Sequence, residues 1–416
     1  MRADVLVAGG GTAGVIAAIQ AARTGVKVVL IEMMGQLGGT MTGGGVSAPA
    51  YFWSRYQQII AGIGWEIVEK CQINGGAHIP DFKVENPNRP SYHVGINQYL
   101  WAAISEETAI QAGVDIHYHE VITSVKDTCA GEWIVKTAGK NCCNEFTVKE
   151  IIDCTGDANI VAMLGYPVVM QEDRQPGTLE FKISGYDAAT MDAEAIEIEY
   201  KKALADGRLQ LGDFAYKNQP FINFLNRGGQ NLQHTFGIDA STSIGMTQAS
   251  IAGRQALLRL LRFIRTLPGG ENAKIENMAD YATTRDSYRI IGEKTITYDD
   301  YRTGVDYPDA VAYTLYFIDV HNEEGTHHEF LPFDVIPKIP LGALIPAGSS
   351  RLITAGRMIS SDKLAHSALR VEASCMAMGQ AAGAAAAIGI QMCIPSREVP
   401  IERIKDLLKE HGAIVP

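Results

Sequence analysis

Ala3-Asp4-Val5-Leu6-Val7-Ala8-Gly9-Gly10-Gly11-Thr12-Ala13-Gly14, continued by Val15 to Arg23, Gly25 and Val26 to Glu32, carries the strongest structural signal in the chain. Ala3 to Ala8 is a short apolar run with β-branched residues, the pattern of a buried strand. Gly9 to Gly14 fits G-x-G-x-x-G. Val15 to Arg23 predicts a helix with Gly25 placed to stop it, and Val26 to Ile31 a second strand ending at Glu32. Each residue type has a reason. Gly9 permits the tight turn from strand to helix, Gly11 lets the backbone approach a pyrophosphate, and Gly14 lets the helix pack close to the sheet. Thr12 and Ala13 open the helix, whose unpaired N–H groups favour phosphate oxygens. Glu32, 18 residues beyond Gly14, is placed to accept hydrogen bonds from ribose hydroxyls and to repel a 2′-phosphate.

Beyond Glu32, Gly35-Gln36-Leu37-Gly38-Gly39-Thr40 and Gly43-Gly44-Gly45 form a second glycine cluster just after the ribose acid. A nicotinamide domain has no need of it there; an extended cofactor running past a loop does. Gly113 to Val125, with Val121 in its second half, reads as a pair of strands. Ile151-Ile152-Asp153-Cys154-Thr155-Gly156 reads as a strand ending in a Thr-Gly turn. Arg351 to Gly356 reads as a strand ending at a glycine, with Arg357 next. Ala373 to Ile390 reads as an Ala-rich helix with small residues at Gly379, Ala382, Gly383 and Ala386, a pattern of close packing.

These segments resemble the flavoproteins whose FAD domain is of the glutathione-reductase type, and most of all the FAD-dependent oxidoreductase group that includes members loosely labelled xanthan-lyase-related. The likeness runs from Gly9 through Thr283 to Gly292, the Ala355-Gly356-Arg357 block and Gly379 to Gly383, nearly the whole chain. Tyr288 stands before Arg289 where that group has two adjacent arginines. The resemblance implies an FAD site made by Gly9, Gly11, Thr12, Ala13, Gly14, Glu32, Gly38, Gly39, Thr40, Val121 near the adenine, Thr155, Gly156, Gly356, Arg357, Arg370 and Val371. It also implies that the last helix aims its N-terminus at the flavin pyrimidine.

The expected fold class is α/β: a Rossmann-like FAD/NAD(P)-binding domain, three-layered around a parallel sheet, with an inserted α+β cap. Residues 1–50, 93–170 and 335–392 form the discontinuous cofactor domain, 51–92 and 171–334 the cap or substrate domain, and 393–416 a tail helix. The cap mixes strands (Thr178 to Ile183, Val311 to Asp319) with helices (Ala193 to Ala205, Thr247 to Arg265). No second G-x-G-x-x-G unit follows, so an electron donor enters the cap cleft and passes hydride directly to flavin N5.

Composition limits the rest. The chain has 416 residues, 46% of them hydrophobic, and 36 basic against 47 acidic residues give a net charge of −11. That composition excludes a disordered chain and argues against nucleic acid as partner. No membrane span is expected, since the apolar stretch Ala381 to Ile394 is short and rich in Ala and Gly. The seven cysteines lack any C-x-x-C, which predicts reduced thiols and no flavin–disulfide relay. The opening strand begins almost at the first residue, and a cytoplasmic location is expected.

For chemistry, His366 just before the last helix is the first choice to handle a proton. Arg285 and Arg289, four apart on an expected helix, share a face suited to a carboxylate substrate. Arg370 is placed for flavin O2 or a substrate acid; His234 and Tyr288 are weaker candidates. His327-His328 and His117-x-His119 lack a nearby third ligand, so no metal is expected. The reading is an FAD-dependent oxidoreductase that moves a hydride from a small organic substrate, such as a carboxylate, to flavin N5. The alternatives are a non-redox flavoprotein of hydratase or isomerase type and an NAD-binding dehydrogenase. The electron acceptor, covalent attachment of the flavin and homo-oligomer formation are left open.

Overall fold

Val5–Ala8 and Val28–Glu32 are buried along their whole length, which a central parallel sheet requires. In the computed structural model, which describes residues 1–54, 57–82 and 92–416, they lie in a five-stranded parallel sheet. Its order is Leu352–Thr354, Glu150–Asp153, Val5–Ala8, Val28–Glu32, Asp115–Tyr118. Val5 pairs with both Glu150 and Val28, and Val29 with Asp115.

Strand alternation divides the core. Val5, Val7, Val28 and Leu30 pack against the helices Thr12–Arg23 and Glu372–Met392. Leu6, Ala8, Val29 and Ile31 face the other way, onto Val125, Trp133, Val135 and Phe146. The last four belong to an antiparallel sheet of Glu120–Asp127, Trp133–Gly139 and Cys142–Val148. The three layers are therefore helix, parallel sheet and antiparallel sheet. Gly113 to Val125 is not one strand pair: Asp115–Tyr118 closes the parallel sheet, and at His119, which has φ 58°, the chain passes into the antiparallel one.

The helices Thr12–Arg23 and Glu372–Met392 cross at their small residues. A Cβ at Gly379 would sit 2.2 Å from Ala13 O, and one at Gly383 2.4 Å from Ala17 O. Among the described residues, Glu372–Met392 is the helix long and apolar enough to cross a membrane, yet it is mostly buried in this core.

A second core holds residues between Leu179 and Ala282, including Phe181, Phe221, Phe224 and Phe263 around the helix Ser243–Ile264. The hydrophobic residues from Tyr51 to Phe82 and from Ile296 to Leu331 pack into the first core instead. Residues 83–91, within the segment assigned to the cap, lie outside the described residues. Ile401–Glu410 is a helix as read, and Ala193–Ala205 likewise.

Glu150 begins a central strand fully buried. Burial pushes its carboxyl up to about 8, with Ser396 and Arg351 opposing that rise. Because the folded value lies above the unfolded one, the folded state holds the extra proton. The stabilisation is complete below the ordinary carboxyl value of 4.5 and disappears as pH rises through about 8. Glu150→Gln should therefore gain on the parent by about 2–4 kcal/mol between pH 4.5 and 9. Denaturant melts at both pH values check this; a difference that does not grow with pH would contradict it.

Candidate active site

The carboxyl ends of the parallel strands open into a cavity of about 1130 Å³. That is slightly above the usual size of a small-ligand pocket and leaves room for an extended dinucleotide beside a small molecule. One reach is lined by Gly9, Gly11, Thr12, Ala13, Glu32, Gly39, Thr40, Val121, Thr155, Gly156, Gly356 and Arg357. Gly11 is the N-cap of Thr12–Arg23 and has no side chain to cap it, so the first-turn amides are left for a ligand. A Cβ at Gly11 would meet nothing within 4 Å. The backbone therefore faces open cavity where a phosphate would sit, and the cradle fits an anionic dinucleotide.

Local contacts build this reach. Glu32 Oε2 accepts from Gly10 N at 2.6 Å and Oε1 from Met34 N at 2.7 Å. Each oxygen keeps a second acceptor site for a ribose hydroxyl. Burial raises the Glu32 carboxyl and these amides oppose the rise. Gly38 N donates to Gly10 O at 2.8 Å, and a Cβ at Gly39 would lie 3.0 Å from Gly11 Cα. The second glycine cluster thus lies directly on the first. Asp153 accepts from the amides of Thr155, Ile160 and Val161, fixing the Thr155-Gly156 turn. Arg357 donates to Asp157 at 2.6 Å and to Gly156 O at 2.9 Å.

The other reach lies between the two cores and is polar. Arg285 donates to Pro176 O, Thr178 Oγ1 and Asn231 Oδ1, none of them charged. Burial and the neighbouring Arg370 push its guanidinium down to about 10. Arg370 Nη2 reaches Asp319 Oδ2 at 3.3 Å, and its Nε is buried without a partner. Asp319 also takes His321 Nε2 at 3.0 Å and has His328 Nε2 3.1 Å away. His321 Nδ1 in turn meets His234 Nε2 at 3.1 Å. Val371 and Glu372, at the start of the helix Glu372–Met392, and Glu180 also line this reach. Burial raises Glu372 to about 7 and Glu180 to about 8.

Among the cofactor candidates, Gly14 and Gly38 lie behind the cavity wall and the others line it. The catalytic candidates divide. Arg285 is on the wall; Arg289 and His366 are not. The expected helix carrying Arg285 and Arg289 is absent: Thr283–Thr284 pairs with Gly177–Thr178, and Arg289–Ile290 with Val168–Val169. Arg289 is buried and donates to Ser361 O, so the two arginines do not form one carboxylate clamp. His366 is 1% exposed, with Nε2 2.7 Å from Arg357 O and Nδ1 3.1 Å from Asp286 Oδ1. Nε2 is bonded and Nδ1 is buried beside Asp286, and the residue is off the cavity wall, so neither nitrogen is placed to exchange a proton with a ligand there. His234 lies beneath His321, and Tyr288 packs against the core under the antiparallel sheet. Sequence reading missed Asp319, His321, Glu180 and Glu372, and weighed His327-His328 only as metal ligands.

The sequence model of the family described as FAD dependent oxidoreductase matches residues 4–408. No curated protein matches the chain. Solved structures align over nearly all of it at low identity. A geranylgeranyl bacteriochlorophyll reductase-like protein from Thermoplasma acidophilum is 14% identical with a TM-score of 0.47, over 98% of this chain and 83% of that one. OxyS anhydrotetracycline hydroxylase from Streptomyces rimosus is 11% identical at 0.46, over 99% and 66%. p-Nitrophenol 4-monooxygenase PnpA from Pseudomonas putida DLL-E4 is 11% identical at 0.42, over 99% and 85%. At these TM-scores no substrate or reaction is carried over.

Proposed function

The chain belongs to the FAD dependent oxidoreductase family, and from that premise we propose that it oxidises a small organic carboxylate seated at the polar reach of the cavity. The observation that carries this reading is Arg285. It is a buried guanidinium on the cavity wall whose hydrogen bonds all go to neutral groups, beside a second guanidinium with a buried, unpartnered Nε. Two guanidiniums face Asp319, while burial raises the other carboxyls of this reach, Glu180 and Glu372, to about 8 and about 7, so the reach is short of negative charge, which a bound organic anion supplies.

FAD would be held along the other reach: phosphates at Gly11, Thr12 and Ala13, ribose at Glu32, adenine beside Val121, and the flavin end toward Gly356 and Val371. Bound FAD supplies the acceptor for a substrate hydride, at N5. The protein's own groups do the remainder. Arg285 and Arg370 orient the carboxylate, and Tyr316 and Phe317 on the same wall keep water from the reacting carbon.

The test uses holoprotein under anaerobic conditions, a panel of 2-hydroxy acids and amino acids, and matched neutral alcohols and sugars. Acids should bleach the flavin absorbance. Arg285→Gln should raise the concentration needed for half-maximal bleaching by about 10–100-fold, the loss of one or two charge-assisted hydrogen bonds. Neutral analogues that work as well as the acids would remove the carboxylate from the reading. Conversion of an acid with the flavin still oxidised would remove the redox reaction.

A further inference from the structure

We propose that His328 accepts the substrate's proton at Nδ1 and that Asp319 is the carboxylate that orients it; the proposal rests on reading the cavity as the site of an organic-acid oxidation. Gly325–Glu329 is the hairpin partner of Ile318–Asn322, and its register sets His328 directly across from Asp319. Directly opposed residues share one face of the ribbon, so the two side chains meet without any loop to place them. His328 Nε2 lies 3.1 Å from Asp319 Oδ1, and the ring packs edge-on against Phe317 at 4.8 Å between centroids. The ring lines the cavity, and Nδ1 has no partner among the described residues.

The other imidazoles of this region are differently used. His321 is bonded at both nitrogens, to Asp319 and His234. His234 is 2% exposed beneath it and off the wall. His93 is on the wall, but its ring rests on Tyr51 and its Nε2 is buried with no carboxylate to orient it. His328 alone of the three on the wall combines a carboxylate on one nitrogen with a free second nitrogen. A carboxylate at Nε2 keeps the proton there and leaves Nδ1 as the base, the arrangement that fixes the tautomer of an acting histidine.

The balance for a hydroxy acid is simple. The O–H proton goes to His328 Nδ1, its bonding pair becomes the second C–O bond, and the C–H pair leaves as hydride to bound FAD. The substrate loses two electrons and two hydrogens and becomes a keto acid. The charged groups around His328 are Asp319 and His321 on the facing strand, Arg370 at the end of the helix Lys363–Leu369, and Glu329 beside it, which bonds Tyr298.

Long-range nitrogen–proton correlation spectra of histidine-labelled holoprotein read the tautomer without any substrate. His328, assigned by the loss of its signal in His328→Gln, should carry its proton on Nε2 and lose that preference in Asp319→Asn. With the acid that bleaches fastest in the panel, His328→Gln should lower the limiting rate of flavin reduction by about 10²–10³-fold and remove its acidic limb. Half-saturation should move by less than about threefold, unlike Arg285→Gln, which acts on half-saturation. His328→Asn, with FAD content and melting temperature at parental values, guards against a folding defect. A proton on Nδ1, or an unchanged limiting rate in both variants, overturns the assignment. A panel in which only neutral compounds react overturns the carboxylate reading and leaves the tautomer measurement to decide His328.

Discussion

Gly11→Val should give a folded protein that no longer holds FAD, whereas Gly14→Val should give a protein that does not fold. The two glycines lie three residues apart in one motif, and their surroundings are opposite. A Cβ at Gly11 meets nothing within 4 Å, and its backbone is extended with φ −66°, which valine adopts without strain. The added side chain occupies only the cavity, in front of the amides that would receive the phosphates. A Cβ at Gly14 would lie 1.9 Å from Gly9 O and 3.0 Å from Cys154 Cβ. Gly9 O is main chain at the end of a central strand, and it cannot retreat without moving the sheet. Overpacking against such neighbours exceeds the usual 1–3 kcal/mol, here about 4 kcal/mol or more. Thermal melts and the flavin absorbance of the purified variants separate the outcomes. We expect Gly11→Val to melt near the apoprotein and to lose at least about 100-fold in FAD affinity, roughly 2.7 kcal/mol. A Gly11→Val protein with a full complement of flavin would put the cofactor elsewhere. A Gly14→Val protein that melts like the parent would remove the close approach of helix and strand.

The same motif shows why much of the cofactor end is legible in sequence. Strand, turn, helix, strand and acid follow one another within thirty-odd residues, so each element announces the next. The small residues Gly379 and Gly383 read as close packing, and they lie where the backbone of Thr12–Arg23 crosses. The catalytic end does not share that locality. Asp319 meets Arg370, and His321 meets His234, across sequence gaps that no periodicity links. The i,i+4 spacing of Arg285 and Arg289 suited a helix, but pairing of Thr283–Thr284 and Arg289–Ile290 with strands more than 100 residues earlier overrides it. His366 was chosen for nearness to the last helix. That helix does open on the cavity, but the preceding turn of helix, Lys363–Leu369, rotates His366 inward toward Asp286. A usable signal for His328 existed. In a hairpin with its turn near Glu323-Glu324, adjacent His327 and His328 take opposite faces, and one of them must oppose Asp319.

Asp319→Ala should cost about 3–5 kcal/mol of stability while leaving FAD bound in any molecule that remains folded. Asp319 is buried, and it is the point on which Arg370, His321 and His328 converge. Burial alone would raise its carboxyl. Hydrogen bonds from His321 and His328, with the charge of Arg370, outweigh burial and hold it well below the ordinary carboxylate range. A folded value below the unfolded 3.8 means stability that is present above that pH and lost only as pH falls through the folded value. The deficit of Asp319→Ala should therefore be flat between pH 5 and 8. His321 behaves otherwise: burial and Arg285 push it down to about 4, so the parent itself loses stability as pH drops from 6.5 toward 4. Asp319→Asn keeps the shape and one acceptor but not the charge, and should recover part of the loss. The phosphate cradle at Gly11 and the turn at Thr155 lie on other strands, so flavin content should follow the folded fraction. Denaturant melts at three pH values, with flavin counted per folded chain, give the answer. A cost below about 1 kcal/mol would mean that the guanidinium and the two imidazoles find their charge balance without Asp319, and the polar end of the cavity would not be organised around that carboxylate.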